Sequence, residues 1–324
     1  MNDNHALLTP ALVETIAGLS AGIISTLAVH PLDVIKTRLQ IQRNASTTPT
    51  PAYGILKGLL STERPVQRLY RGLAPNLIGN ASSWAIFFYF KSVAESQLLR
   101  FRNGPAVTRG PNNKIPLTPL DYFLASGISG AIITLSTNPI WVLKTRMLSS
   151  DKGTEGAYEG TWHGTKQLWK SEGVRGFYRG VGVSMLGISH GAVQFAVYEP
   201  LKNVWRNYLA RKDDAKDETY GKGQEEEKLG NTATLAISGS AKIVAGTATY
   251  PYQVIRSRIQ TYHADERFGK GIRGVVMKIW REEGWGGFYK GLGTNILRVM
   301  PATWVTFLVY ENVRYYLPHW NPTA

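Results

Sequence analysis

The chain has 324 residues, no cysteine, and 37 lysine and arginine against 23 aspartate and glutamate residues, which gives a formal charge of +14 at pH 7. The absence of cysteine excludes disulfides and thiolate chemistry. Nucleic acid, anionic lipid and an anionic small molecule are all compatible with this charge. We expect no nucleic-acid partner, because no zinc-finger spacing, RNP-like run or basic helix occurs and the basic residues cluster beside apolar segments.

Long stretches without charge divide the sequence. Four of them have no charged residue and cover residues 15–32, 72–90, 122–143 and 180–198; two more, 229–255 and 291–310, are interrupted only by Lys242 and Arg298. Eighteen helical residues span about 27 Å, close to the ~30 Å hydrocarbon core of a bilayer. We therefore predict an all-α membrane protein with six transmembrane helices. The alternative, a soluble helical repeat protein, is disfavoured by small-residue spacings such as GLSAG from Gly18.

In chain order, the first predicted helix covers residues 11–40. At about 45 Å it is too long to cross a membrane upright, and Pro31 is placed to kink it. A polar loop over 41–52 and a short amphipathic segment over 53–62 lead to the second span. The stretch 211–228 is dense in charge and is expected to be a solvent loop.

One motif recurs three times, at intervals of about 110 residues. PLDVIKTRLQ from Pro31 returns as PIWVLKTRML from Pro139 and as PYQVIRSRIQ from Pro251. A second landmark keeps the same order, with LYRG ending at Gly72, FYRG at Gly180 and FYKG at Gly291. The sequence therefore predicts three tandem repeats, over 1–105, 106–228 and 229–324, with two spans and a short helix in each.

All three copies have basic residues five and seven positions after the proline, and the first also has an acid, Asp33, two positions after it. They resemble the signature P-x-[DE]-x-x-[KR]-x-[KR] of the mitochondrial carrier family, and the resemblance covers essentially the whole chain. The resemblance implies a pseudo-threefold bundle around a central substrate cavity, which opens alternately to the two sides. It also implies a multi-pass protein of the mitochondrial inner membrane, in contact with its lipid, cardiolipin included, and monomeric. Walker A, GxGxxG, HExxH and GxSxG patterns are absent, so we expect a transporter and not an enzyme.

In this family the three motifs form a gate at the matrix mouth. Carried over to this chain, the six gate residues would meet in pairs: Asp33 with Lys144, Trp141 with Arg256, and Gln253 with Lys36. Only the first pair is ionic. Trp141 can receive Arg256 over its ring, and Gln253 can offer its carbonyl to a lysine. Gln40 and Gln260 can brace the ring from below. The alternative is that Trp141 and Gln253 are tolerated packing changes.

On the opposite side, the resemblance implies a second gate with the pattern [FY]-[DE]-x-x-[KR]. Glu199 with Lys202 and Glu311 with Arg314 match this pattern. The corresponding residues of the first repeat, Phe-Lys-Ser at 90–92, offer no acid. We therefore expect this cytoplasmic gate to be weak.

Candidate substrate-binding residues lie in the middle of the spans. They are Gly79, Asn80, Ser83, Trp84, Gly187, Ile188, His190, Gln194, Lys242 and Arg298. The resemblance places Gly79, Gly187 and Arg298 at the level where the substrate is contacted; the two glycines would leave room for a broad ligand, and the arginine suits phosphate or carboxylate. One turn earlier, Asn76, Ser184 and Asn295 suggest a polar cavity wall, although such residues also join membrane helices.

Lys242 is the most unusual of these candidates. It occupies the slot that Gly22 and Gly130 fill in the other two repeats, nine residues before the motif proline. An ionisable residue inside a membrane span is by default a hypothesis for a functional site. The alternative is a lysine bonded to neighbouring backbone carbonyls.

Within the family, PIWVLKTR together with PYQVIRSR resembles the branch that handles folate, FAD, NAD and pyrimidine nucleotides. NLIGNASSW, GISHGAVQF and LRVMPATW are most similar to its folate and flavin carriers, above all those for FAD in fungi. The implied partner is a small anionic heterocyclic substrate, FAD or folate, and no bound cofactor is expected. A carrier-derived membrane adaptor or channel that no longer transports is the alternative of a different class.

Overall fold

A computed structural model describes residues 10–43, 50–103, 119–151, 157–214 and 231–317, and the regular secondary structure within these ranges is all helical. The long helices are α1 (Pro10–Gln40), α4 (Leu73–Asn103), α5 (Pro119–Ser149), α8 (Ile188–Asp214), α9 (Asn231–Ala248) and α13 (Leu292–Tyr316). The shorter ones are α2 (Ala52–Leu60), α3 (Pro65–Leu69), α6 (Thr161–Phe177), α7 (Val181–Leu186), α10 (Tyr250–Gln260), α11 (Ala264–Phe268) and α12 (Gly271–Gly287). The predicted repeat boundaries, and most of the charged loop over 211–228, lie outside the described residues.

These helices form the predicted six-helix membrane bundle of three repeats. Among the described residues, three helical stretches are long and apolar enough to cross a membrane by length and composition: Val13–Gln40 in α1, Val181–Tyr208 across α7 and α8, and Leu292–Tyr316 in α13. The last long helix of each repeat packs against the first of the next, α4 against α5, α8 against α9, and α13 against α1. This order closes the three repeats into a ring, as the threefold recurrence of the motifs requires.

The motif prolines and landmark glycines mark the bends of each repeat. Pro31 lies inside α1 and Pro139 inside α5, whereas the third odd span is divided at Thr249 into α9 and α10. Gly180 and Gly291 precede the helices of the even spans with φ of 73° and 83°. Only glycine adopts such a φ without strain, which is why these landmarks end in glycine.

A buried joint ties the motif-bearing end of each odd span to the landmark of its own repeat. The residues directly before the motif prolines are His30, Asn138 and Tyr250, and all three are buried. Each donates a hydrogen bond to a backbone carbonyl of the landmark: His30 Nε2 to Arg71 at 2.9 Å, Asn138 Nδ2 to Phe177 at 2.8 Å and Tyr250 Oη to Lys290 at 3.0 Å. The joint fixes how each pair of spans meets beneath the membrane core.

Candidate functional site

The structure brings together the three pairs expected from the motifs, which we call the inner ring. The six residues are Asp33, Lys36, Trp141, Lys144, Gln253 and Arg256. Lys144 Nζ lies 3.6 Å from the Asp33 carboxylate, and Lys36 Nζ donates to Gln253 Oε1 at 2.9 Å. The Arg256 guanidinium lies 5.8 Å from the centre of the Trp141 ring. The three odd spans are therefore in contact at the ends that carry the motifs.

Gln40 and Gln260, the expected braces, are both buried next to the inner ring. Gln40 donates to Tyr250 Oη at 3.1 Å and accepts a hydrogen bond from Ser257 at 2.7 Å. Gln260 accepts one from Thr145 at 3.1 Å. Each glutamine thus connects two odd spans, α1 with α10 and α10 with α5.

Asp33 has a second cationic partner that the sequence motif does not indicate. Arg298 Nη1 lies 2.8 Å from Asp33 Oδ1, on the carboxylate oxygen that faces away from Lys144. Asn76 Nδ2 approaches the same carboxylate at 3.4 Å. A buried carboxylate is stable only when its charge is paired and its lone pairs accept hydrogen bonds. Arg298, expected at the substrate level, is therefore also in contact with the inner ring.

The inner ring encloses part of a cavity of about 240 Å³ with a strong positive bias. Its charged lining consists of Lys36, Lys144, Arg256 and Arg298 against one carboxylate, Asp33. The Nε atoms of Arg256 and Arg298 are buried and have no hydrogen-bond acceptor among the described residues. Guanidinium groups with unmet donors favour a phosphate or carboxylate ligand. The site can thus bind an anion without any covalent chemistry.

The two glycines at the contact level do not leave open space, which corrects the expectation from the sequence. A Cβ atom on Gly79 would lie 3.4 Å from Trp141 Cζ2, and one on Gly187 would lie 3.1 Å from Tyr252 Oη. The aromatic rings of the following repeat fill both positions. Tyr252 also lines the cavity. Sequence reasoning missed it because it follows the motif proline directly, at a position the motif leaves unspecified.

Comparison with known proteins agrees with the division of the chain into three repeats. The sequence profile described as "Mitochondrial carrier protein" matches three times, over residues 9–101, 116–209 and 227–320. The chain belongs to the mitochondrial carrier family. Members of this family are transporters and not enzymes.

Three relatives in this family resemble the chain over nearly its full length. The mitochondrial FAD carrier protein of Saccharomyces cerevisiae is 36% identical, over 95% of this chain and 98% of its own. The chloroplastic nicotinamide adenine dinucleotide transporter 1 of Arabidopsis thaliana is 34% identical, over 94% and 92% of the two chains. The chloroplastic folate transporter 1 of Arabidopsis thaliana is 33% identical, over 92% of each.

The candidate residues of the carrier's first repeat lie along α4. Asn80 is half-buried, and its Nδ2 lies 3.5 Å from Thr26 Oγ1 and 3.4 Å from Asn76 Oδ1. Ser83 is half-buried, whereas the Trp84 side chain is 63% exposed and meets Phe87 edge-on. The exposed indole offers a flat apolar surface, although Trp84 is not among the residues that line the cavity.

The candidates of the second repeat differ in their surroundings. The Ile188 side chain packs against α5, where a Cβ atom on Gly130 would lie 3.3 Å from it. His190 Nδ1 lies 2.9 Å from Thr249 Oγ1, and the imidazole borders the cavity. Gln194 is half-buried one turn further along α8. Ile188 thus serves helix packing, and His190 is the one of the three that lines the cavity.

The polar residues one turn before the contact level are buried, so the expectation of a wet cavity wall is wrong. Asn76, Ser184 and Asn295 are 2%, 5% and 7% exposed. Ser184 Oγ donates to Asn138 Oδ1 at 3.3 Å, and Asn295 accepts a hydrogen bond from Lys36 at 2.8 Å. They join even spans to odd spans, which is the other role that amides and hydroxyls have in membrane bundles.

Lys242 is half-buried on α9. Within the described part of the chain, no residue forms a hydrogen bond or ion pair with it. The alternative of a lysine satisfied by neighbouring carbonyls therefore finds no support here. An ammonium group at this depth without a protein partner favours an anionic ligand.

The expected cytoplasmic gate is not assembled. Arg314 Nε lies 3.1 Å from Glu14 on the neighbouring helix α1, and the Tyr310 hydroxyl donates to the same carboxylate. Across the described ranges no ion pair connects Glu199, Lys202 or Glu311. The inner-ring residues are thus in contact, while the residues of this second set are not paired with one another.

Proposed function

We propose that this carrier moves FAD across the mitochondrial inner membrane by alternating access, as a monomer and without a bound cofactor. The observation that carries the proposal is the cavity at the inner ring, where four cations face a single carboxylate beside the rings of Trp141 and Tyr252. FAD combines an anionic diphosphate with a flat heterocycle, and both halves find a matching surface in such a cavity.

Similarity to relatives supports the same substrate class. The yeast FAD carrier is similar over almost its whole length, and carriers named for folate and nicotinamide adenine dinucleotide follow at slightly lower identity. All three named substrates are anionic heterocycles. Folate, NAD or a pyrimidine nucleotide is therefore the nearest alternative substrate.

In this proposal the candidate residues divide into three roles. Arg298 and Lys242 bind the diphosphate, because both carry a cation inside the membrane span and come from different helices. Trp84 stacks with a heterocycle. The inner ring closes the matrix mouth, with Gln40 and Gln260 as its braces.

Uptake into reconstituted vesicles tests this assignment. Purified carrier is inserted into vesicles that contain phosphatidylcholine and cardiolipin, and the uptake of labelled FAD, tetrahydrofolate and NAD is compared. We expect FAD to enter and to be inhibited by unlabelled FAD more strongly than by the others. Uptake of tetrahydrofolate without uptake or competition by FAD contradicts the flavin assignment. Vesicles with the Arg298→Ala variant serve as the inactive control.

A further inference from the structure

Two of the three boundaries between repeats lack an ionic link in the inner ring. Asp33 and Lys144 form such a link between repeats 1 and 2. At the boundary between repeats 2 and 3, Trp141 occupies the acidic position of the motif. At the boundary between repeats 3 and 1, Gln253 occupies that position. A neutral partner holds a cation more weakly than a carboxylate does. Arg298 pairs with Asp33 across the boundary between repeats 3 and 1 at 2.8 Å, but Arg298 is not one of the six inner-ring residues and is also a candidate substrate ligand. Ion pairs elsewhere would therefore add to closure at both boundaries.

Each of these two boundaries is crossed by an ion pair outside the inner ring. Arg179 Nη2 of repeat 2 lies 2.5 Å from Asp265 Oδ1 of repeat 3. Arg43 of repeat 1 meets Glu282 of repeat 3 with two parallel contacts, at 2.6 and 2.7 Å. The bidentate geometry is the stronger form of the arginine–carboxylate pair.

The remaining boundary has an outer pair as well. Arg38 Nη2 lies 2.5 Å from Asp151 Oδ1, and Arg68 lies 3.6 Å from the other oxygen of the same carboxylate. Arg38 stands five residues beyond Asp33 on α1, about 7.5 Å nearer the matrix at 1.5 Å per residue. The pair of Arg38 with Asp151 therefore joins the same two repeats as the pair of Asp33 with Lys144, but farther toward the matrix. In the outer pair repeat 1 supplies the base and repeat 2 the acid, which is the reverse of the inner pair.

The outer pairs lie where movement of the spans must break them. Arg43 follows the end of α1 by three residues, and Asp265 follows the end of α10 by five. Separation of the matrix ends of the odd spans would pull both away from their partners. By contrast, Glu172 and Glu283 pair with Arg146 and Arg258 of their own repeats, at 2.6 and 2.8 Å. Arg146 and Arg258 also donate to backbone carbonyls of a neighbouring repeat, at Gln260 and Gln40, but their ion pairs lie within one repeat.

We propose that Asp265 and Glu282 act as gate acids, which replace the two carboxylates that the inner ring lacks, with Asp151 completing an outer ring. Arg179 also contacts Glu172 of its own repeat at 3.2 Å, so its charge stays paired when the link to Asp265 opens. The outer ring can therefore release without leaving a buried, unpaired arginine. The proposal rests on alternating access and is independent of which substrate is carried.

The expected size of the effect follows from exposure. The carboxylates of Asp265 and Glu282 are 48% and 24% exposed, so each pair is partly screened by solvent. Pairs of this kind shift a two-state equilibrium by about two- to fivefold each. If the sites are independent, loss of both pairs shifts it by roughly four- to 25-fold.

The absence of native cysteine allows a direct test of matrix-side access. Ser257, which lines the cavity and hydrogen-bonds Gln40, is replaced by cysteine as a reporter. Inverted inner-membrane vesicles expose the matrix face to a membrane-impermeant maleimide. We expect the Asp265→Asn and Glu282→Gln variants to be labelled two- to fivefold faster than the reporter alone. Glu266→Gln is the matched control, because Glu266 adjoins Asp265 and, among the described residues, its carboxylate pairs within its own repeat, with His263.

A charge exchange separates gating from general destabilisation. The double variant Arg43→Glu with Glu282→Arg restores the pair, and we expect its labelling rate to return toward that of the reporter alone. The same variants are measured with Thr145→Cys as a second reporter, in case one reporter disturbs the fold. The proposal is overturned if labelling is unchanged while the melting temperature falls, or if Glu266→Gln accelerates labelling as much as Asp265→Asn. If the wild-type carrier does not take up FAD, the substrate assignment is refuted. The labelling rates, which test the outer ring, do not depend on that outcome.

Discussion

The substitution Gln253→Glu should stabilise the conformation with a closed matrix mouth. Glutamate has the shape of glutamine, so its carboxylate can accept the hydrogen bond that Lys36 Nζ donates to Gln253 Oε1 at 2.9 Å. The exchange turns a hydrogen bond to a neutral acceptor into a salt bridge. No other contact of the inner ring has to change.

The magnitude can be derived from this one contact. A neutral hydrogen bond contributes about 0.5–1.5 kcal/mol and one between charged groups about 1.5–3 kcal/mol. Desolvation of the new carboxylate opposes the gain, but the surrounding cations of the cavity reduce that cost. We expect a net stabilisation of about 1 kcal/mol, or roughly a fivefold shift toward the closed mouth. For a chain of this size the melting temperature should rise by about 2 °C.

Two assays test the substitution together. Thermal unfolding of the purified carrier in detergent should shift upward, and the initial rate of uptake into vesicles should fall by up to about fivefold where opening limits the cycle. Gln67→Glu, on the exposed part of α3, controls for an added negative charge. Faster uptake at an unchanged melting temperature would refute this account of the inner ring.

Three further predictions concern the cavity and the outer ring. Lys242→Ala should abolish most uptake, because it removes a cation that is proposed to bind the diphosphate. Folding should be kept, because the other two repeats have a small residue, Gly22 and Gly130, at this position. Uptake at the wild-type level would exclude a ligand role for Lys242. Trp84→Ala should weaken affinity for the heterocycle roughly two- to tenfold, from a stacking loss of ~0.5–1.5 kcal/mol, measured as KM with little change in maximal rate. A fall in maximal rate alone would contradict stacking. The hydrogen bond from Arg43 lowers the pKa of Glu282 below its usual 4.5, so the contribution of this pair to stability is present above that pH and is lost as the pH falls through the lowered value. The difference in melting temperature between wild type and Glu282→Gln should therefore be constant from pH 8 to 5 and shrink under stronger acid; a difference that shrinks already near neutral pH would exclude this pair as its source.

The sequence predicts the bundle and the pairs of the inner ring because both depend on spacing that repeats. Windows without charge predict the spans, and the recurring motif predicts which residues occupy equivalent positions in the three repeats. The pairing of Asp33 with Lys144 is implied by the resemblance to the carrier family, and the structure places the two side chains 3.6 Å apart. The buried joints at His30 and Asn138 follow the same register, since both directly precede a motif proline.

The contacts that the sequence does not predict depend on distances between helices. The pairing of Arg298 with Asp33 depends on how closely α13 approaches α1, and no motif encodes that distance. The space beside Gly79 is filled because the Trp141 ring points toward it, and the sequence does not specify the orientation of that ring. The acids of the outer ring, such as Glu282, lie on helices and loops between the spans, outside the motif that is shared by all three repeats.

The initial rate of FAD uptake as a function of external FAD concentration tests the central claim most directly. Vesicles with the wild-type carrier are compared with empty vesicles and with vesicles that contain the Arg298→Ala variant. A carrier with one cavity that opens alternately to the two sides should give a rate that saturates, that falls when unlabelled FAD competes, and that the variant lacks. A rate that rises in proportion to concentration without saturation, together with an ohmic current, would indicate a channel and contradict the account.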